Sequence, residues 1–349
     1  MKKNICVIIP CYKVKSKIYN VVKKINFKIV DHVIVVDDYC PEESGYFLKK
    51  TLIYKNKISY IFLKKNLGVG GATMAGFNAA IKKNFKYVVK LDGDGQHDPK
   101  NLKVIGRAGA GVDNIDLISA KENNVLVMNT PGANANATAE HTLALILSLI
   151  RNIPIANTST HNGKWEKKNF KGIELSKKTI GIIGFGNVSI NLCKLLNGFD
   201  MNIIAFSNSL INRKKEFPNI KSVSLEELIS NSDIITMHCK ATKDGKPLIN
   251  IDHFRKMKKT AYIINAARGN IINENDLNTA LNENLITGAA IDVFSKEPAE
   301  SNVLFNNPKV VLTPHIAAST KEAQVNVAKM ISEQIGNYLL NKEQVNIVK

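Results

Sequence analysis

Short apolar runs of strand length recur along the chain at Ile5–Ile9, Val33–Val36, Ile58–Leu63, Tyr87–Leu91, Val104–Gly106, Asn124–Met128, Thr179–Ile183, Ile203–Phe206, Ile234–Met237, Ala261–Asn265, Gly288–Val293 and Val310–Leu312. Stretches with helical spacing lie between most of them. Continuous apolar strands that alternate with helices predict parallel sheets covered on both faces, the α/β class. The longest apolar stretch in the middle of the chain, His141–Ile150, falls short of the roughly 18–20 residues that span a bilayer. The opening Met1-Lys2-Lys3 and the run ending at Pro10 mimic the front of a signal peptide. Pro10 breaks that run and no small-residue cleavage site follows, so it reads as a buried strand and the expected compartment is the cytoplasm.

A length of 349 residues suggests about two domains. At 44% hydrophobic and 22% charged, the composition is that of a globular protein rather than a disordered one. The net charge of +18 raises nucleic-acid binding as a possibility. The lysines are spread over the whole chain, however, in pairs such as Lys23-Lys24 and Lys258-Lys259, and a general Lys/Asn/Ile bias accounts for the surplus; no nucleic-acid partner is expected. Five cysteines, odd in number and without Cys-x-x-Cys spacing, predict buried thiols rather than a disulfide framework or zinc site.

The character of the motifs changes near residue 100. Before it stand Val7-Ile-Ile-Pro-Cys-Tyr12, Val35-Val-Asp-Asp38, Asn66-Leu-Gly-Val-Gly-Gly-Ala72 and Leu91-Asp-Gly-Asp-Gly-Gln-His-Asp-Pro99. Asp92 and Asp94 follow a strand at a spacing that lets both carboxylates face one way, and paired hard oxygens suit Mg²⁺ or Mn²⁺ on a diphosphate. An Asp-Gly-Asp by itself is more often a turn. In this order the motifs resemble the start of the family 2 glycosyltransferases, similar to dolichyl-phosphate sugar synthases. The resemblance implies a partial GT-A-type segment over residues 1–100, with Asp38 holding a nucleoside and Asp92 and Asp94 a metal, Mg or Mn, if a donor binds. The half that would carry that family's catalytic base is replaced by something else.

The remainder holds Gly106-Arg-Ala-Gly-Ala-Gly-Val-Asp-Asn-Ile-Asp116, Met128-Asn-Thr-Pro-Gly132, Thr138-Ala-Glu-His-Thr142, Gly163-Lys-Trp165, Thr179-Ile-Gly-Ile-Ile-Gly-Phe-Gly-Asn-Val188, Asn265-Ala-Ala-Arg-Gly269, Ala290-Ile-Asp-Val-Phe-Ser-Lys-Glu-Pro298 and Leu312-Thr-Pro-His-Ile-Ala-Ala318. Gly184 and Gly186 form a tight turn between a strand and a helix that opens near Asn187 and Val188, where peptide N–H groups suit a pyrophosphate. Two positions depart from the dinucleotide fingerprint. Ser189 replaces its third glycine and is expected to push the helix slightly off the strand, and Ser207 stands where an acid would bind the adenosine ribose. With Arg213, Lys214 and Lys215 nearby, NADP stays open beside NAD. For the chemistry, His315 supplies an imidazole, Glu297 a carboxylate to fix its tautomer, and Arg268 a fork that grips a carboxylate in two places, each just past an apolar strand.

These motifs, in this order, resemble the D-isomer-specific 2-hydroxyacid dehydrogenases, the phosphoglycerate type above all, over about residues 101–349. The resemblance implies hydride exchange between a 2-hydroxy acid and NAD, with Arg268, Glu297 and His315 catalytic. It also implies Asp292 on the nicotinamide carboxamide, Cys239 and Ala266 along the cofactor, and Arg107, Ala108 and Gly109 around the substrate. It implies a Rossmann-type NAD-binding domain at 152–316, a truncated flavodoxin-like substrate domain from 101–151 and 317–349, and a homodimer with a small-molecule substrate. The junction is expected between Asp98 and Val104. There the glycosyltransferase-like units could pair with Val104–Gly106 and cover a strand edge left open by the missing start of the substrate domain. Ser224/Glu227 and Ser319/Glu322 read as capping boxes, and His238 as a structural histidine. A glycosyltransferase fragment and a non-catalytic nucleotide-binding fusion are the alternatives.

Overall fold

The computed structural model describes residues 5–28, 30–52, 56–85, 87–91, 93, 104–112, 115–211, 216–242 and 244–348. The chain divides into two compact units: residues 1–107 with 112–129 and 334–349, and residues 108–111 with 130–333. The helix Ala135–Ile150 thus groups with the second unit rather than with the substrate-domain remnant.

In the first unit β1 (Ile5–Cys11), β2 (His32–Asp37), β3 (Ile58–Phe62) and β4 (Tyr87–Lys90) form a parallel sheet in the order β3-β2-β1-β4. Successive side chains of β1 enter opposite cores: Cys6 and Ile8 on one face, Val7, Ile9 and Cys11 on the other. That is why the strand reads as an unbroken apolar run. A separate parallel pair joins β5 (Val104–Gly106) to β6 (Leu126–Met128), and the chain's end returns to it, Val348 N–H donating to the Val127 carbonyl at 2.9 Å. Among the described residues no strand pairs across residue 100, which corrects the expectation that the first segment extends the β5 edge.

The second unit is a seven-stranded parallel sheet of β7 (Thr179–Ile183), β8 (Asn202–Phe206), β9 (Lys221–Ser222), β10 (Ile234–Met237), β11 (Tyr262–Asn265), β12 (Gly288–Ile291) and β13 (Val310–Leu312), in the order β13-β12-β11-β10-β7-β8-β9. Alternate residues again divide between two cores: Ile183, Ile235, Ile263 and Ala289 on one face, Ile182, Ile234, Ile264 and Ala290 on the other. The chain reverses direction across the sheet at β7, which has β8 on one side and β10 on the other. In open parallel sheets such a switch point opens a crevice at the carboxyl ends of the strands. Among the described residues no helix is long and apolar enough to cross a membrane.

One of the two expected helix caps differs from the sequence reading. Ser224 Oγ accepts from Glu227 N–H, the expected cap, whereas the final helix is capped by Thr320, whose Oγ1 accepts from Ala323 N–H, and not by Ser319.

Candidate active site

Every sequence-predicted group of the second unit past residue 180 lies at the carboxyl end of this sheet or just beyond it. From one edge inward come His315 after β13, Asp292 and Glu297 after β12, Ala266 and Arg268 after β11, and Cys239 after β10. Gly184, Gly186, Asn187 and Val188 follow β7, and Ser207 follows β8.

The turn after β7 is built for close approach. Gly184 has φ +91°, and a Cβ there would lie 2.7 Å from the main chain of His238 and Cys239, so the strand-to-helix turn closes only with glycine. Gly186 is the N-cap of helix Asn187–Leu196 and supplies no side-chain cap to its first-turn amides. The Asn187 side chain lies against Gly132. Ser189, expected to crowd the strand, is instead fully buried with its hydroxyl donating to the Gly184 carbonyl at 2.7 Å. A hydrogen bond within the turn thus accommodates the side chain that stands in place of a third glycine. After β8, Ser207 Oγ and Ser209 Oγ are 2.9 Å apart, and Ser209 Oγ donates to the Phe185 carbonyl at 2.8 Å. A strand ending in a glycine turn, a helix whose first amides carry no side-chain cap, and hydroxyls just past the next strand together fit a dinucleotide.

At the other edge, His315 Nδ1 and Glu297 Oε2 are 2.6 Å apart. An ionised carboxylate only accepts, so Nδ1 carries the proton and, in the neutral ring, Nε2 keeps its lone pair. The imidazole is half-exposed, and the carboxylate is less so. Glu297 Oε1 also accepts from Phe294 N–H, which fixes the carboxylate from behind. His315 sits at φ +54°, a strained backbone for a non-glycine residue, held by its own N–H to the Asp292 carbonyl at 2.7 Å. The bond to Glu297 pushes the imidazole above its ordinary value; burial opposes this, the charges of Glu297 and Asp292 add to it, and Arg268 opposes. Burial pushes the Glu297 carboxyl up, but the bonds from His315 and Phe294 outweigh it and hold the group below the usual carboxylate range. Arg268, Glu297 and His315 thus follow three adjacent strands, β11, β12 and β13. The Arg268 Nη1 also donates to the Ala267 carbonyl at 2.7 Å.

Residues 143–317, half of the chain, match the profile described as D-isomer specific 2-hydroxyacid dehydrogenase, NAD binding domain. The chain belongs to this family. Residues 6–116 match Glycosyl transferase family 2. D-3-phosphoglycerate dehydrogenase of Archaeoglobus fulgidus is 44% identical over 249 residues, 71% of this chain and 47% of that protein. Its counterpart in Bacillus subtilis is 43% identical over 235 residues, 67% of this chain and 45% of that protein. The chain thus spans about half the length of the curated relatives it matches. Among solved structures, an NAD-dependent formate dehydrogenase from Staphylococcus aureus in complex with NAD aligns with TM-score 0.67 at 24% identity, covering 99% of both chains. A D-2-hydroxyisocaproate dehydrogenase aligns with TM-score 0.67 at 23% identity, covering 98% and 99%. At these identities the likeness concerns the fold, and it includes the first hundred residues.

Several residues have partners that the sequence did not reveal. Asp292 is wholly buried: Oδ1 accepts from Thr313 Oγ1 (2.6 Å) and Ile316 N–H (2.9 Å), and Oδ2 from Ala317 N–H (3.0 Å). Its carboxylate holds the His315 loop, a task the sequence reading did not assign to it. Asn265, also buried, accepts from Ala267 N–H and donates to the Arg268 carbonyl, shaping the turn that carries the guanidinium. A polar residue closing an apolar strand was the available signal. The Gly109 amide donates to buried Thr130 Oγ1 at 2.7 Å, and the Gly109 carbonyl accepts from Thr130 N–H. That amide is thus engaged within the loop, to which Ala108 also belongs. Arg107 belongs to the first unit, where its N–H donates to the Met128 carbonyl and continues the β5–β6 ladder. His238 packs beneath the glycine turn, 3.1 Å from Thr236 Oγ1, and burial lowers its pKa to about 4. Burial pushes the Cys239 thiol up to about 11, so this cysteine remains an inert thiol. Asp92 and Asp94, and the basic run 213–215, lie outside the described residues. Asp37 and Asp38 in the first unit are buried and bind loops: Asp37 accepts from Cys40 and Gly45 N–H, and Asp38 from Leu67 N–H, each at 2.7 Å.

Proposed function

We propose that this chain exchanges a hydride between a small D-2-hydroxy acid, 3-phosphoglycerate or a close analogue, and NAD. The observation that carries this is the 2.6 Å His315–Glu297 contact, with the Arg268 charge beside it at neighbouring strand ends. In the oxidation direction His315 Nε2 accepts the hydroxyl proton, and Glu297 stabilises the imidazolium that forms. Arg268 binds the substrate carboxylate through its fork and polarises the forming carbonyl. The nicotinamide, when bound, accepts the hydride. The Gly184–Gly186 turn and the first-turn amides of the following helix would hold the pyrophosphate, and Ser207 would face the ribose. Purified protein with 3-phosphoglycerate or 2-hydroxyglutarate and NAD tests this by the growth of reduced-cofactor absorbance. No absorbance change with either acid, although NAD binds, would overturn the reading in favour of a binding protein.

A Ser207→Asp change is expected to lower kcat/KM for NADP at least tenfold while leaving NAD little affected. An acid at this position accepts ribose hydroxyls and repels a 2′-phosphate. Equal loss with both cofactors would show that Ser207 does not face the ribose.

Glu297→Gln is expected to lower the oxidation rate on the order of 10- to 100-fold. It should also move the acid limb of the pH–rate profile downward, because the raised value of His315 rests first on this carboxylate. The linkage has a definite sign. His315, raised on folding, adds stability below its unfolded value and loses it as pH rises through its folded value. Glu297, lowered, adds stability above its unfolded value and loses it as pH falls through its folded value. The pair's full contribution is therefore present between the two unfolded values and is lost on either side as pH passes the folded ones; an acid limb that stays in place in the Gln variant would sink the assignment.

For the first hundred residues we propose a scaffold rather than a transferase, since three backbone amides occupy Asp37 and Asp38. Heat released on titration with a nucleoside-diphosphate sugar and Mn²⁺ would contradict this. The chain is read as a homodimer, supported by exposed Ile153, Ile155 and Trp165, the last 87% exposed, and light scattering giving a monomer mass would refute it. Its five cysteines are all free thiols, in keeping with the reducing cytoplasm.

A further inference from the structure

The helix Ala135–Ile150 carries one histidine into the back of the site. His141 Nε2 is 3.2 Å from Thr313 Oγ1 and 3.4 Å from Asp292 Oδ1, across 172 residues of sequence in the first case. The Thr313 hydroxyl has one proton, and at 2.6 Å it is committed to Asp292 Oδ1, a carboxylate that can only accept. The threonine oxygen is therefore an acceptor toward His141, and His141 is the donor, protonated at Nε2. The chain of donation runs from His141 to Thr313 to Asp292. Asp292 in turn accepts from the amides of Ile316 and Ala317, and its carbonyl takes the His315 N–H. These bonds bracket His315 on both sides and hold it at its strained φ of +54°.

We propose that His141 is a positioning residue for the reaction, which acts through Thr313 and Asp292 to set the angle and depth at which His315 meets Glu297. The inference rests on the reading of His315 as the base. His141 touches no reacting atom. Without its N–H, the Thr313 oxygen and the buried Asp292 carboxylate lose a donor, and the loop from Thr313 to Ala317 loosens. The charged groups facing the imidazole are Glu297 and Asp292 from the loop after β12 and Arg268 from the turn after β11. Of these the bond to Glu297 acts most strongly on its titration, so a loosened loop lowers the titration midpoint of His315.

The test uses the full chain labelled with ¹³C and ¹⁵N at histidine, with the His315 ring signal assigned by its loss in His315→Gln. In the wild type, the ¹⁵N shifts of His141 should report the Nε2–H tautomer. His141→Leu should move the His315 midpoint downward and lower kcat about 10- to 100-fold. His141→Gln, whose amide can donate at the same reach, should restore both. Thr313→Val removes the relay hydroxyl by a different change and should reproduce the Leu result, which keeps the test open if one variant folds poorly. A His315 midpoint unmoved in folded His141→Leu or Thr313→Val overturns the proposal, as does an Nδ1–H tautomer at His141. The titration needs no turnover, so it judges the positioning role even if the dehydrogenase reading itself fails by assay.

Discussion

His315→Gln is expected to lower the oxidation rate about 10³-fold while the affinity for NAD changes less than about threefold, the range that loss of a general base gives. The reasoning starts from which nitrogen is free. Glu297 holds Nδ1, so Nε2 is the only ring atom able to take a proton from substrate, and a glutamine amide at that place cannot take one at neutral pH. Cofactor binding is expected to survive because the turn that would hold the pyrophosphate follows β7, four strands away in the sheet. Stopped-flow burst kinetics and cofactor fluorescence separate the two effects. A variant that keeps more than about a tenth of the rate would place the base elsewhere.

Gly269→Ala is expected to be the most damaging single methyl in the second unit. Gly269 follows Arg268 and runs against the loop that leads from Asp292 to Glu297. A Cβ there would lie 1.9 Å from the Phe294 carbonyl carbon, 2.0 Å from its oxygen and 2.4 Å from Ser295 N. These are main-chain atoms, not the end of a flexible side chain, so the two loops must move apart. Phe294 belongs to the core on one face of the sheet, and its N–H donates to Glu297. Overpacking of this kind costs about 1–3 kcal/mol and sits at the upper end when backbone must move. The melting temperature should fall by several degrees, about 2–4 °C per kcal/mol for a unit of this size. The rate should fall as well, because the same displacement separates Arg268 from the His315–Glu297 pair. A variant with wild-type melting and wild-type kcat would show that the loops have room the structure does not contain.

What the sequence determined by itself was the class of the fold and the order of the motifs along the chain. Parallel α/β organisation followed from unbroken apolar strands, since a strand covered on both faces has no polar side to display. The Gly184 turn, Arg268, Glu297 and His315 could be read because each stands just past such a strand, and neighbouring parallel strands deliver their carboxyl ends to one edge. The change of family near residue 100 was likewise visible, because motifs of one kind stop where those of another begin.

Only the tertiary structure decided how those groups are held. That Asp292 holds the His315 loop, and that Thr313 and His141 stand behind it, depend on hydrogen bonds between segments brought together by folding. Ser189 looked like a misfit until its hydroxyl was seen to meet the Gly184 carbonyl. The separation of β5–β6 from the first sheet was also beyond the pattern. The physical reason is common to all of these. Hydrophobic periodicity is a local property, written residue by residue, whereas the partner of a buried polar atom is whichever donor or acceptor the packed fold brings within about 3 Å, and for His141 that partner lies 172 residues away.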